Sequence, residues 1–431
     1  MWGRLSRKTI PVLAAAIRLR YNPSVMDRRA LLKSLPFGLA AAAARSKAAL
    51  ADMKIKRIRY YHVGGAGARP IFNQSSHIVT VETDQGITGI GEGGHKDAIE
   101  QLAALIIGES PTRIEHLWQL MYRHYFYPPG REKIHALGAL DLALWDIKGK
   151  ALGVPVYELL GGLTRDYVEC YATGFPNSGS LTETARACIE FGYRAFRFHG
   201  AEPDDPAKGY HHRKMVDKTV GMCQEIREGV GDEGDWAIDF HTRLDMPDAI
   251  RLCDLIEPLR PLFVEDPIRS ENAEVYRTFR PMVKVPLAVG EHYGDRWDSN
   301  MLIENQLFDY SRVSIPNSGG ITEYMKHGAI CETHYVGLVP HFTGPVAEAS
   351  LVHCLCAASG PGIMEMRGKG DPGAPHLPQA YDFRAGKLYP VAKPGLGVEF
   401  DPNRADLVSE ITERSRPISL YRRPDGSITN W

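Results

Sequence analysis

Three acidic residues each close a short β-like run: Asp239 in Ala-Ile-Asp-Phe-His, Glu265 in Leu-Phe-Val-Glu-Asp-Pro, and Glu291 in Ala-Val-Gly-Glu-His. The interval from Asp239 to Glu265, and again from Glu265 to Glu291, is 26 residues, about one strand-helix unit. Ends of parallel barrel strands converge on one mouth, so carboxylates repeating at this interval can surround a single cation. Hard oxygen ligands that leave room for water and substrate suit Mg2+ better than Zn2+. A lone acidic residue at a strand end could equally cap the following helix; three in register favour the metal. His241 lies two residues beyond Asp239, so on an extended strand both side chains share a face and His241 can reach the substrate. Its ordinary pKa near neutrality suits proton delivery, with hydrogen bonding behind the ligand as the alternative.

Such residues need strands to carry them. From residue 168 onward, β-rich runs at 168–172, 195–199, 236–241, 262–265, 287–291, 310–315, 336–341 and 362–366 alternate with helical stretches. That alternation predicts parallel βα units closing into a barrel. Ahead of them, alternation at 55–60 and 76–83, with Asp84-Gln85-Gly86 as a hairpin turn, predicts strands, and helical periodicity follows over 99–107, 114–127 and 136–152. The expected fold class is α/β: a TIM-like, modified (β/α)-barrel with an α+β capping domain. Expected boundaries are a leader at 1–51, the capping domain at 52–165, the barrel at 166–371, and a C-terminal segment at 372–431 that returns to the capping domain.

Lys+Arg total 51 against Asp+Glu 52 in 431 residues, so no broad field attracts nucleic acid or an anionic membrane. A small-molecule enzyme fits that balance. The seven cysteines are an odd number without metal-ligand pairing and read as buried thiols. Arg28-Arg29 ahead of an apolar run, with Ala49-Leu50-Ala51 as a cleavage pattern, resembles a twin-arginine export signal, so a periplasmic protein, soluble once processed, is expected.

Asp239, Glu265-Asp266-Pro267 and Gly290-Glu291 resemble the three metal-ligand motifs of the mandelate racemase subgroup of the enolase superfamily. The resemblance covers nearly the whole mature chain. It includes Ala139-Leu140-Asp141-Leu142-Ala143-Leu144-Trp145-Asp146-Ile147-Lys148-Gly149-Lys150 and Gly319-Gly320-Ile321-Thr322-Glu323. It implies a Mg2+ cofactor, a substrate held through its carboxylate, and an enediolate formed as the α-proton leaves. The Asp-x-His pattern at Asp239 and His241 is similar to galactonate- and mannonate-type sugar-acid dehydratases, whose histidine protonates the departing hydroxyl. His341, in Leu-Val-Pro-His-Phe-Thr-Gly-Pro, resembles the family's base. Ser314 stands where relatives with a His–Asp dyad carry the aspartate, which lowers the expected basicity of His341 and leaves substrate binding as its other role.

Arg197 and His199 occupy the positions of the two lysines in the Lys-x-Lys branch, which argues against cycloisomerases and dipeptide epimerases. Arg197 suits a clamp on the substrate carboxylate and His199 an alternative base, with a barrel-interior network as the competing reading. Glu365 resembles the acidic residue that polarises the substrate carboxylate or contacts a hydroxyl. The loop Gly64-Gly65-Ala66-Gly67-Ala68-Arg69 lies in the capping domain where the family keeps a mobile specificity loop, and the resemblance implies that Arg69 could reach a distal hydroxyl or carboxylate. The resemblance therefore implies a Mg2+-dependent hydro-lyase that converts an aldonate or aldarate to a 2-keto-3-deoxy acid. A racemase or epimerase using the same enediolate, and a non-catalytic periplasmic sugar-acid receptor, are the rivals. A nucleotide enzyme is disfavoured, since no Walker sequence occurs and Pro70 stands where a dinucleotide glycine would. A small acid-sugar substrate, no nucleic acid or membrane partner, and a homo-oligomer complete the expectation.

Overall fold

The computed structural model describes residues 50, 52–63, 77–342, 344–370, 373–378, 381–416 and 421–429. The leader with Arg28 and Arg29, and the loop ending in Arg69, lie outside them. Among the described residues, no helix is long and apolar enough to cross a membrane.

Strands β1 (Ile55–His62), β2 (Ile78–Thr83) and β3 (Thr88–Glu92) form an antiparallel sheet, and Asp406–Ile411 adds to its edge beside β1. Asp84, Gln85 and Gly86 make the β2–β3 turn, with Gly86 at φ 80°. The helix Gly130–Leu152 packs against β3 so closely that backbone meets backbone: a Cβ on Gly89 or Gly91 would fall 2.0 Å from the Ala143 carbonyl or 1.9 Å from that of Ala139. Only glycine allows this approach.

Eight parallel strands follow: β4 (Val168–Thr173), β5 (Ala195–His199), β6 (Asp235–Asp239), β7 (Phe263–Glu265), β8 (Leu287–Val289), β9 (Tyr310–Ser311), β10 (Gly337–Leu338) and β11 (Ile363–Arg367). They pair in chain order from β4 to β10, and β11 pairs with β4. Between β10 and β11 there is one parallel bridge, Leu338 to Gly362, beside the bond from Leu338 N–H to the Pro361 carbonyl. The modified barrel expected from the sequence is thus present, with its weakest seam there. Several strands are shorter than the apolar runs suggested: β6 ends before His241, β8 before Glu291, β9 before Ser314 and β10 before His341. A hairpin, Asp382–Arg384 and Lys387–Tyr389, pairs with the start of β4. All seven cysteines are free and buried.

The cap is tied to the barrel by polar contacts. Asp141 accepts the N–H and hydroxyl of Thr322 at 3.0 and 2.6 Å, and a Cβ on Gly320 (φ 87°) would strike that carboxylate at 2.4 Å. Glu92, at the end of β3, accepts the N–H groups of Val346 and Ala347 at 2.9 Å each, at the start of the helix Pro345–Ala357. A carboxylate there also meets the positive end of the helix dipole.

Candidate active site

Every second residue of a strand faces the same way, and this alternation stacks the barrel interior in layers. Tyr171, Ala195, Ala237, Phe263, Ala288, Val339 and Ile363 form a buried apolar cluster inside the ring. Two positions further along their strands come Thr173, Arg197, Asp239, Glu265, His341 and Glu365, and Arg312 follows Tyr310 in the same way. An apolar floor therefore supports a polar layer at the strand C-terminal ends.

Two buried arginines organise that layer. Arg197 donates from Nε to Thr173 Oγ1 (3.1 Å), from Nη1 to Asp239 Oδ2 (2.5 Å) and Glu265 Oε2 (2.7 Å), and from Nη2 to Glu365 Oε1 (2.9 Å). Arg312 donates from Nε to Glu265 Oε1 (2.7 Å), from Nη2 to Glu365 Oε2 (2.6 Å), and from Nη1 to the Tyr171 hydroxyl (2.6 Å) and the Val339 carbonyl (2.8 Å). Burial alone would raise Glu365, but Arg312 and Arg197 outweigh it and hold this carboxyl well below the usual range. At Glu265 burial prevails over the same two guanidiniums, with Asp239 and Glu365 adding repulsion, and the carboxyl is pushed up to about 7. Arg197, expected to clamp a substrate carboxylate, instead holds three carboxylates of the protein.

The histidines stand at the rim. β6 stops at Asp239, and His241 and Thr242 take left-handed φ values of 45° and 56°, so an extended strand is not what aligns His241 with Asp239. The turn folds it back: its N–H donates to Asp239 Oδ1 at 2.8 Å, and its Nε2 lies 2.7 Å from Oδ2. Non-glycine residues held at positive φ carry strain, and such strain clusters at functional sites. His199 stacks on His241 with ring centroids 4.7 Å apart, its Nδ1 3.6 Å from Asp239 Oδ2. The Asp239 bond raises the His241 pKa against burial. Across the ring, His341 Nδ1 lies 2.9 Å from Ser314 Oγ and its Nε2 lies 3.5 Å from Glu291 Oε2. Ser314 thus orients the imidazole without supplying a charge, and burial pushes His341 down to about 3.

Among the described residues, two trios bring potential metal-ligand atoms within 4.8 Å of one another: His199, Asp239 and His241, and Asp266, Glu291 and His292. The expected trio of Asp239, Glu265 and Glu291 is not one of them. Its members are linked through arginines, with Arg312 Nη2 4.0 Å from Glu291 Oε2. Glu291 is raised well above the ordinary range by burial and by repulsion from Asp266, Glu265 and Asp239. Asp266 Oδ2 is buried, with His292 Nε2 3.3 Å away. Glu265 accepts one N–H at each oxygen, which leaves a second lone pair on each. Surplus buried negative charge on oxygen donors is the environment a hard divalent cation fits.

Residues 180–404 match the family profile described as enolase C-terminal domain-like, and residues 68–161 match the mandelate racemase / muconate lactonizing enzyme N-terminal domain. The chain belongs to the mandelate racemase subgroup of the enolase superfamily. A D-galactonate dehydratase of Xanthomonas oryzae pv. oryzae is 36% identical over 395 residues, covering 88% of this chain and all of that protein. One from Pectobacterium atrosepticum is 35% identical over 374 residues, 82% of this chain and 96% of its own. Among solved structures, an enolase from Agrobacterium radiobacter, described as a candidate galactarate dehydratase with bound Na and L-malate, superposes with TM-score 0.70 at 27% identity, covering 87% of this chain and 99% of that one. At the level shared by family and relatives, this superfamily member is a dehydratase, a carbon–oxygen lyase.

Several residues of this enolase-superfamily site escaped the sequence reading. Arg312 stands two residues beyond Tyr310 and two before Ser314, within the β-rich run expected to be a strand, and that interval was its available signal. Asp266 and His292 follow expected ligands directly; His292 Nε2 lies 3.3 Å from Asp266 Oδ2 and 3.6 Å from Glu291 Oε1. Nothing in the sequence showed that the loops after β7 and β8 turn these two side chains toward each other.

Proposed function

We propose that the protein is a Mg2+-dependent dehydratase of a six-carbon sugar acid, giving a 2-keto-3-deoxy product. The observation that carries this reading is the placement of two imidazoles on opposite sides of the mouth, His241 after the third barrel strand and His341 after the seventh. Each imidazole is held by a neighbour: His241 Nε2 lies 2.7 Å from Asp239 Oδ2, and His341 Nδ1 lies 2.9 Å from Ser314 Oγ.

Asp239, Glu265 and Glu291 would hold the cation, which when bound offsets the negative charge that develops beside the substrate carboxylate as the α-proton leaves. His341 takes that proton at Nε2. The C–H electron pair first moves into the carboxylate to give an enediolate; it then returns as the Cα–Cβ double bond while the β C–O bond breaks, and the proton held by His241 leaves with the hydroxyl as water. Tautomerisation of the resulting enol gives the keto acid. Arg197 and Arg312 fix Glu365 and Glu265 so that the polar layer does not rearrange during turnover.

The test is to incubate the protein and Mg2+ with a stereochemically complete set of six-carbon aldonates and aldarates, detecting 2-keto-3-deoxy products. Formation of such a product from one or a few members supports the reading. Epimerised acid without keto product would overturn it in favour of a racemase or epimerase.

A further inference from the structure

Ile363, Glu365 and Arg367 alternate along β11 on one face, the first in the apolar floor and the second in the polar layer. Arg367 is next outward, roughly 6–7 Å beyond Glu365 at the rise of a β-strand. An extended six-carbon chain held by one end near Glu265 and Glu365 spans a comparable distance. Arg367 is exposed at the rim, and its guanidinium carbon lies 4.8 Å from the centre of the Phe342 ring. Phe342 in turn stacks on His341, with centroids 5.5 Å apart and planes 13° from parallel. A cation over an aromatic face is held by the ring's negative face, and its N–H groups can still donate to an acceptor.

Other arginines around the mouth already have carboxylates. Arg243 pairs with Glu202 at 2.7 Å, Arg131 lies 3.5 Å from Asp298, and Arg296 pairs with Glu323. Lys369, two residues beyond Arg367 in the turn after β11, lies over Phe175 and Phe191. Among the described residues Arg367 has its ring contact and no ion pair. A guanidinium held by an aromatic face beside the residue proposed as base, with its hydrogen-bonding edge unmatched, is built for a planar anion, and a carboxylate takes two parallel N–H bonds from it.

We propose that Arg367 is a specificity-determining residue that receives a second carboxylate at the far end of the substrate, so that the preferred class is the aldarate, a sugar diacid. This rests on the dehydratase reading above. The test compares an aldonate with the aldarate of the same configuration, in wild type, Arg367→Gln and Arg367→Lys. Both turnover and equilibrium binding by calorimetry in Mg2+ are measured. Wild type is expected to favour the diacid. Arg367→Gln should lower the diacid:monoacid ratio of kcat/KM by about 10- to 100-fold, chiefly through KM, the loss of a charge-assisted contact. Arg367→Lys should restore part of the ratio. A wild-type preference for the monoacid, or a ratio unmoved by Arg367→Gln, would overturn the assignment. Diacid binding that Arg367→Gln weakens, in a protein that forms no keto product, would uphold Arg367 and reject the dehydratase reading instead.

Discussion

Glu265 and Glu291, both expected to ligate one cation, meet opposite surroundings. Glu265 lies between two buried guanidiniums, whereas Glu291 has Arg312 no nearer than 4.0 Å, is repelled by Asp266, Glu265 and Asp239, and accepts no hydrogen bond among the described residues. Replacing Glu265 by Gln leaves Arg197 and Arg312 facing a neutral amide, and breaking a buried pair in this way costs about 3–5 kcal/mol. The arginine network thus makes Glu265 a structural as well as a candidate metal-binding residue. Replacing Glu291 by Gln removes repulsion, so protein treated with a chelator should melt at the same temperature as wild type or higher. Its Mg2+-induced rise in Tm should disappear, since that rise reports binding to the native state. Thermal melts of both variants, with and without Mg2+, check the pair. Equal destabilisation of the two in chelator would contradict this account of the charges.

Barrel helices and strands are joined by buried groups whose protonation matters. On the helix Ile321–Thr333, His327 Nε2 lies 2.7 Å from Ser311 Oγ on β9 and its Nδ1 lies 3.3 Å from Ser299 Oγ on the helix Arg296–Glu304. Burial pushes this imidazole down to about 4. As pH falls from about 6.5 to about 4, the unfolded chain takes a proton that the native fold resists, so stability from this residue is present above that window and lost within it. His327→Gln should be less stable than wild type at pH 7.5, and that deficit should shrink by roughly 1.4 kcal/mol per pH unit on acidification through the window. Urea unfolding of both proteins at pH 7.5 and 5 measures it, and a deficit independent of pH would contradict the assignment. Element types were legible because apolar runs and helical periodicity recur at regular intervals; strand ends were not, because residues such as His241 leave the ladder through backbone turns that carry no side-chain pattern.

At the scale of the molecule, the cap-on-barrel architecture followed from the order of runs along the chain, since among the described residues three strands and four helices precede the first of the eight barrel strands. Asp141 and Glu92, which tie the two parts together, were hidden because a buried carboxylate on a helix or strand end looks like any other acidic residue until its donors, Thr322, Val346 and Ala347, are in place. The same holds for the arginine-linked polar layer: its members come from strands β4, β5, β6, β7 and β11 and the segments after β9 and β10, and only closure of the ring brings them together. What the closed ring creates is a mouth with one imidazole on each side, and the central claim is that these two divide the chemistry. In deuterated solvent with Mg2+ and the sugar acid found by screening, His241→Asn should exchange the substrate α-proton yet form no keto product, while His341→Asn should do neither. Retained exchange in His341→Asn would contradict the account and move the base elsewhere, with His199 the first residue to examine.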